Sequence, residues 1–193
     1  MHSTNKLRVG IAGLALAAFA AAATPASAAD IVLPGDVNNL GDVQTVVVGP
    51  EEGDFTCSLS VTQPYSERSP DGNFRTAGDA VGACAQGAAV FMDVRAELHQ
   101  YSSATASSGS TFGSPGGATA GSGTTLRVHT YGNVSGPRYV RTIGQARFTF
   151  YRNKIPSNFV MSSGCYKAQS NQVICNAASK AVTAGPSGLP ASE

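Results

Sequence analysis

The stretch Ala89–Tyr101, AVFMDVRAELHQY, decides the fold class. Val90, Met92, Val94, Ala96 and Leu98 fall on one parity, and Asp93, Arg95, Glu97 and His99 on the other. That is the period of two of a strand with one buried and one solvated face. Ala, Glu, Leu and Met favour helices, but wound as a helix the apolar residues would encircle the axis instead of forming a stripe. The stretch therefore predicts a strand, with His99 facing solvent.

The flanking sequence continues the pattern. In Thr124–Val134, TTLRVHTYGNV, Leu126, Val128 and Thr130 share one face, while Arg127, His129 and Tyr131 share the other. Arg138–Asn153 is long enough for two strand segments, and its parity changes inside it. Tyr139, Arg141 and Ile143 lie on one parity and Ala146, Phe148 and Phe150 on the other. Gly144 stands at the change, which predicts a bulge there. DVQTVVVG (Asp42–Gly49), FTCSLSVTQPY (Phe55–Tyr65) and NFVMSS (Asn158–Ser163) supply further strands. Beyond residue 28 no stretch pairs helical periodicity with a cap and a stop. The expectation is a single all-β domain over residues 43–182, a disulfide-stabilised β-sandwich, Ig-like or jelly-roll-like.

The first residues address the compartment. Lys6 and Arg8 precede the apolar run Val9–Ala23, and Ala26-Ser27-Ala28 is a small-x-small cleavage signal. Residues 1–28 read as a secretory signal peptide; the apolar run is short for a membrane span of about 20 residues. Cleavage after Ala28 leaves about 165 residues, enough for one domain with its own core. The abundance of Gly, Ala, Ser and Thr, with no Trp, has the look of a bacterial secreted protein.

The full chain carries 13 basic and 12 acidic side chains; losing Lys6 and Arg8 leaves 11 against 12, a net charge of −1. That balance is a poor match to nucleic acid, which needs a basic footprint. Asp30–Gln100 holds 11 acids and 3 bases, whereas Tyr101–Glu193 holds 8 bases and 1 acid. Either the two halves lie side by side and neutralise each other, or they make a dipolar surface.

Two segments stand apart. Ser102–Thr125, SSATASSGSTFGSPGGATAGSGTT, has Phe112 as its one large apolar residue. Its composition predicts a mobile hairpin tip or crossover, with Phe112 as the anchor if it orders on a partner. Residues 29–42 read as an extended N-terminal segment. Its apolar patch, Ile31, Val32 and Leu33, would be either an edge strand or a strand added to another protein. Residues 183–193 read as a disordered tail.

Four cysteines in a secreted chain imply two disulfides. Of the three pairings, Cys57 with Cys84 and Cys165 with Cys175 is preferred. The latter two become opposed across a hairpin, GCYKAQSNQVIC (Gly164–Cys175), with Gln169, Ser170 and Asn171 as its loop. Tyr166 and Ala168 then face Ile174 and Gln172. The spacings do not suit zinc.

No catalytic constellation emerges. His99 and His129 could meet if their strands paired, and Asp93, Glu97 and many serines are available, but geometry defines a triad and no Gly-x-Ser-x-Gly elbow is present. Asp93 and Glu97 would lie about 13 Å apart on one strand, too far for a glycosidase pair. The glycines between Gly109 and Gly123 lack the Lys of a phosphate loop. No metal or cofactor is expected.

The sequence thus predicts a secreted, non-catalytic binding module, an adaptor or accessory subunit of an extracellular bacterial protein assembly. Its partner would be another secreted or surface protein, met through Ile31, Val32, Leu33, Phe112, Gln169, Ser170 and Asn171. The alternatives are a cell-envelope or matrix structural protein, and a small secreted hydrolase or protease-inhibitor-like protein.

Overall fold

A computed structural model describes residues 46–50, 57–84, 90–121, 125–150 and 159–189. The signal segment, Ile31, Val32 and Leu33 lie outside these residues. The described elements are all strands: β1 (Val46–Pro50), β2 (Cys57–Val61), β3 (Tyr65–Arg68), β4 (Phe74–Cys84), β5 (Val90–Tyr101), β6 (Ser110–Ala120), β7 (Thr125–Gly132), β8 (Arg138–Phe150), β9 (Phe159–Met161), β10 (Cys165–Gln169), β11 (Gln172–Ala178) and β12 (Val182–Ala184). Among the described residues no helix is long and apolar enough to cross a membrane.

All the pairings are antiparallel; ten strands follow the path β10-β11-β8-β5-β6-β7-β4-β2-β1-β9, and off it β12 pairs with β8 and β3 with β4. β6 is the fold line. Its pairing with β5 runs from Gln100↔Ser110 to Met92↔Ala120, while Ser114 also reaches Tyr131 of β7. The strands on either side of it pack face to face as an unclosed sandwich. Leu59, Val61, Ala80 and Val128 of one sheet meet Met92, Val94, Ala146, Phe148 and Val173 of the other.

Glycines set the close approach of the two layers. A Cβ on Gly82 of β4 would lie 2.5 Å from Val94 Cγ2, and one on Gly144 of β8 would lie 2.5 Å from Val61 Cγ1. Gly144 therefore serves packing, not a bulge. β8 pairs with β5 without interruption from Phe150 to Tyr139, so the predicted bulge is absent. The change of parity in the sequence has a different cause: over Arg141–Ile143, β8 is buried on both faces. Val140, Ala146 and Phe148 face the core between the sheets, whereas Ile143 lies on the outer face in a second cluster with Tyr101, Ala178 and Ala106.

That cluster forms beneath residues 102–109, and β6 follows them directly. The segment 102–125, expected to be a mobile loop, thus holds an 11-residue strand, Ser110–Ala120. Its glycines let β6 run against β7: a Cβ on Gly116 would strike the His129 carbonyl and be 2.6 Å from Val128 Cγ1. Small residues make the low-complexity stretch compatible with a crowded fold line.

The expected tail is also placed in part. β12 pairs with β8 through Val182↔Val140, Gly185 and Gly188 form an isolated bridge, and Leu189 packs beside Leu98, Val134, Val140 and Ala184. The Leu189 amide donates to Ser66 Oγ at 2.8 Å. Both predicted disulfides are present, each joining directly opposed residues on neighbouring strands, Cys57↔Cys84 and Cys165↔Cys175.

The two halves of the chain interleave. β4 pairs with β7, and β5 with β8, so first-half acids sit beside second-half bases, as in the ion pair between Asp79 and Arg127. Six of the eleven first-half acids, Asp30 to Asp54, lie outside the described residues.

Candidate functional site

The outer face of the β4–β7 sheet carries a polar relay. Asp79 of β4 is buried, and its carboxylate accepts from Tyr65 Oη at 2.9 Å and Arg127 Nη2 at 2.7 Å; His129 Nδ1 lies 3.1 Å from it. His129 Nε2 stands 3.2 Å from Glu67, and Glu67 accepts from Arg75 Nε at 2.5 Å. The Arg75 guanidinium lies 3.4 Å from the centroid of the Tyr131 ring. Alternation explains the assembly: Arg75, Ala77 and Asp79 share one parity of β4, opposite Tyr131 and His129 of β7.

Burial works against ionisation of Asp79, but the hydrogen bonds from Arg127, Tyr65 and His129 prevail and hold its carboxyl below the usual range. Burial and the bond to Asp79 push the Tyr65 hydroxyl up to about 12. Both His129 nitrogens face carboxylates, and the adjacent Tyr65 hydroxyl gives its proton to Asp79. The Tyr65 hydroxyl also lies 3.4 Å from His129 Nδ1, so among the described residues the relay ties β3, β4 and β7 together.

His99 departs from its expected position. It is buried, 7% exposed, with Nε2 2.9 Å from Glu97 Oε2, and Glu97 is 2% exposed. The cover is the 102–109 segment, held where Arg141 Nη2 donates to the Ala104 carbonyl at 2.8 Å. Solvent-facing parity was the wrong reading because a loop rich in Ser and Ala roofs this half of the sheet. His99 and His129 do not meet: β5 pairs with β6 and β8, and β7 with β4 and β6.

The remaining half of that outer face, among the described residues, is half-buried and carries two exposed aromatics. Phe91 of β5 is 49% exposed and Tyr166 of β10 is 42% exposed. Register places Tyr166, Ile174, Arg147 and Asp93 in one row across β10, β11, β8 and β5, and Gln172, Thr149 and Phe91 in the next. Three strand spacings and a two-residue offset put the two aromatics about 15 Å apart. Arg95 stands beside Asp93 at 3.9 Å.

The predicted contact residues fare unevenly. Phe112 is not a free anchor; it packs, partly buried, against the cluster of Leu98, Val134 and Val140. Ser170 and Asn171 form the tip of the stapled hairpin, and Gln169 pairs with Gln172. The register shifts between Lys167 and Gln169, so Tyr166 faces Ile174 as expected, whereas Ala168 does not face Gln172. Asn171 is tied down, its side-chain amide donating to the Phe150 carbonyl at 3.1 Å. Gln169 and Ser170 are exposed.

Phe91, Tyr166 and Asp79 were not among the expected site residues. Phe91 carried a signal, an aromatic on the polar parity of the strand that decides the fold. Asp79 carried none, because the partners of its carboxylate come from two other strands, β3 and β7. Among the described residues no group of three His, Cys, Asp or Glu side chains is placed to hold a metal ion. Comparison with protein-family models, curated proteins and solved structures found no match.

Proposed function

We propose that this chain is a secreted, non-catalytic adaptor that binds another secreted or surface protein through the outer face of β5, β8, β11 and β10. The observation that carries this reading is the pair of exposed aromatics, Phe91 and Tyr166, on a face whose other described residues are mostly polar, Ile174 apart. Exposed aromatics on a rigid sheet supply contact area at low entropic cost, the usual character of a binding anchor. Arg95 and Arg147 against Asp93 leave the face with a positive excess, so the complementary partner surface is acidic. The signal-like first 28 residues and the two disulfides agree with an oxidising compartment.

The hydrolase alternative draws little support from the relay, in which His129 is held between Asp79 and Glu67 and the nearby Tyr65 hydroxyl, 3.4 Å from Nδ1, donates to Asp79. The test is affinity capture from culture supernatant by the tagged mature chain, compared with Phe91→Ser/Tyr166→Ser. An identified protein that is lost with the double variant supports the face. Capture unchanged by the double variant, or a chain that runs as a solitary monomer with no co-purifying protein, overturns it. Deleting Asp30–Val37 separately tests strand addition by Ile31, Val32 and Leu33.

A further inference from the structure

Four separate chain segments converge at the end of the sandwich where β4 begins and β7 ends. They are the β3–β4 turn around Asp71–Asn73, the start of β6 at Gly113–Ser114, the β7 end at Tyr131–Asn133, and the C-terminal turn at Pro186–Ser187. They line an open cleft of ≈ 530 Å³, a volume within the range of small-molecule sites, about 300–1,000 Å³.

The walls are pre-ordered. Ser69 N donates to the Asn73 carbonyl at 2.8 Å and Gly72 N to the Ser69 carbonyl at 2.9 Å, with Gly72 at φ 88°. Asn73 donates to both Asp71 carboxylate oxygens, from its amide at 3.2 Å and its side chain at 3.0 Å. On the other wall the Ser114 carbonyl accepts from Thr130 Oγ1 at 2.8 Å. The backbone of these walls therefore loses little conformational entropy when a ligand enters.

The chemistry of the lining selects the ligand. Asp71, Asn73, Asn133 and Ser187 offer carboxylate, amide and hydroxyl groups, and Phe74, 53% exposed, offers an aromatic surface. The two charged groups are already committed, Arg75 to Glu67 and the Tyr131 ring, and Asp71 to Asn73. A multiply charged ligand would find no spare counter-charge, whereas a ring bearing several hydroxyls and an apolar C–H face would find partners for both.

We infer that this cleft binds a neutral saccharide, with Phe74 packing against the sugar ring and Asn133 bonding its hydroxyls. The site is independent of the proposed protein-binding face, which lies on the other sheet, so either can fail alone. A chain with both would bridge a protein and a glycan.

The test is saturation-transfer NMR of the mature chain with maltose, cellobiose, lactose and N,N′-diacetylchitobiose, with glucuronate and glucose 6-phosphate as charged controls. Transfer to at least one neutral disaccharide is expected, with affinity falling at least about tenfold in Phe74→Ala and in Asn133→Ala and unchanged in Phe91→Ser. Asn133 is exposed, so that variant decides the matter if Phe74→Ala fails to fold. Retardation in gels containing dextran or galactomannan would identify a polymer chain as the source, and transfer confined to free disaccharides a soluble sugar; both support the site. No transfer from any neutral saccharide at millimolar concentration, transfer unchanged in both variants, or preference for the charged controls overturns it.

Discussion

Gly144 of β8 sits against Val61 of β2 so closely that the smallest side chain would collide with it. A Cβ there would lie 2.5 Å from Val61 Cγ1 and 3.1 Å from Ala80 Cβ. Ala80 cannot yield without moving its backbone. Gly144→Ala gains about 0.4–1 kcal/mol by restricting the unfolded chain, but overpacking a filled core costs about 1–3 kcal/mol. The expected outcome is a net loss of about 1–2 kcal/mol, a fall in Tm of about 3–8 °C. Calorimetry checks it, and an unchanged or raised Tm would show that the sheets can part.

Asp79 supports the fold only while it is ionised. Its native carboxyl lies below the usual 3.8, so the unfolded chain takes up protons first as the pH falls. The stabilisation is complete above about pH 5 and is lost as the pH falls from there through the depressed native value. Asp79→Asn is expected to cost about 1–3 kcal/mol at pH 7, the worth of hydrogen bonds to a charged group. The gap between the two proteins should stay constant from pH 7 to 5 and narrow below about pH 4. Urea midpoints across that range decide the point; a gap constant down to pH 2 would mean that Asp79 is not the acid-sensitive group.

Strands β5, β7 and β8 and both disulfides were legible because they follow local rules, whereas β4 (Phe74–Cys84), rich in Gly and Ala, was not read as a strand. Alternation in Val90–Leu98 marks a buried face, and a ten-residue spacing brings Cys165 opposite Cys175 across one turn. What escaped depends on which distant segment covers which face. His99 and Ile143 look like surface and core on local parity, yet both lie under the outer face's roof, which comes from residues 102–109. The relay around Asp79 joins residues up to 64 positions apart, Tyr65 to His129, and no periodicity encodes that meeting. The β6 strand was hidden for another reason. Gly, Ser and Ala disfavour strands when isolated, and here they are used because β7 leaves no room for larger side chains.

Phe112 separates a mobile segment from a structural one. As an anchor on a mobile loop, its loss would change stability by less than about 0.5 kcal/mol. Packed beside Leu98, Val134 and Val140, it should cost about 2–3 kcal/mol as Phe112→Ala, below the full-burial range because it is only partly covered. Denaturant unfolding distinguishes the two, and hydrogen exchange should find protected amides in β6 wherever they pair with β5.

The two disulfides should contribute nearly equally despite their different spans. Cys57–Cys84 closes 27 residues and Cys165–Cys175 closes 10, and loop-closure entropy grows only logarithmically with length. The chain-entropy relation gives about 3.6 and 2.7 kcal/mol. Replacing each pair by alanine should therefore lower unfolding stability by similar amounts, the longer loop losing slightly more. Cys57 and Cys175 are both fully buried in the same core cluster, so each replacement also opens a small cavity and adds to the loss. Urea titration of the two double variants measures the ranking. A Cys165→Ala/Cys175→Ala variant as stable as the parent would mean that the hairpin is held by its pairing with β8, with the staple adding nothing.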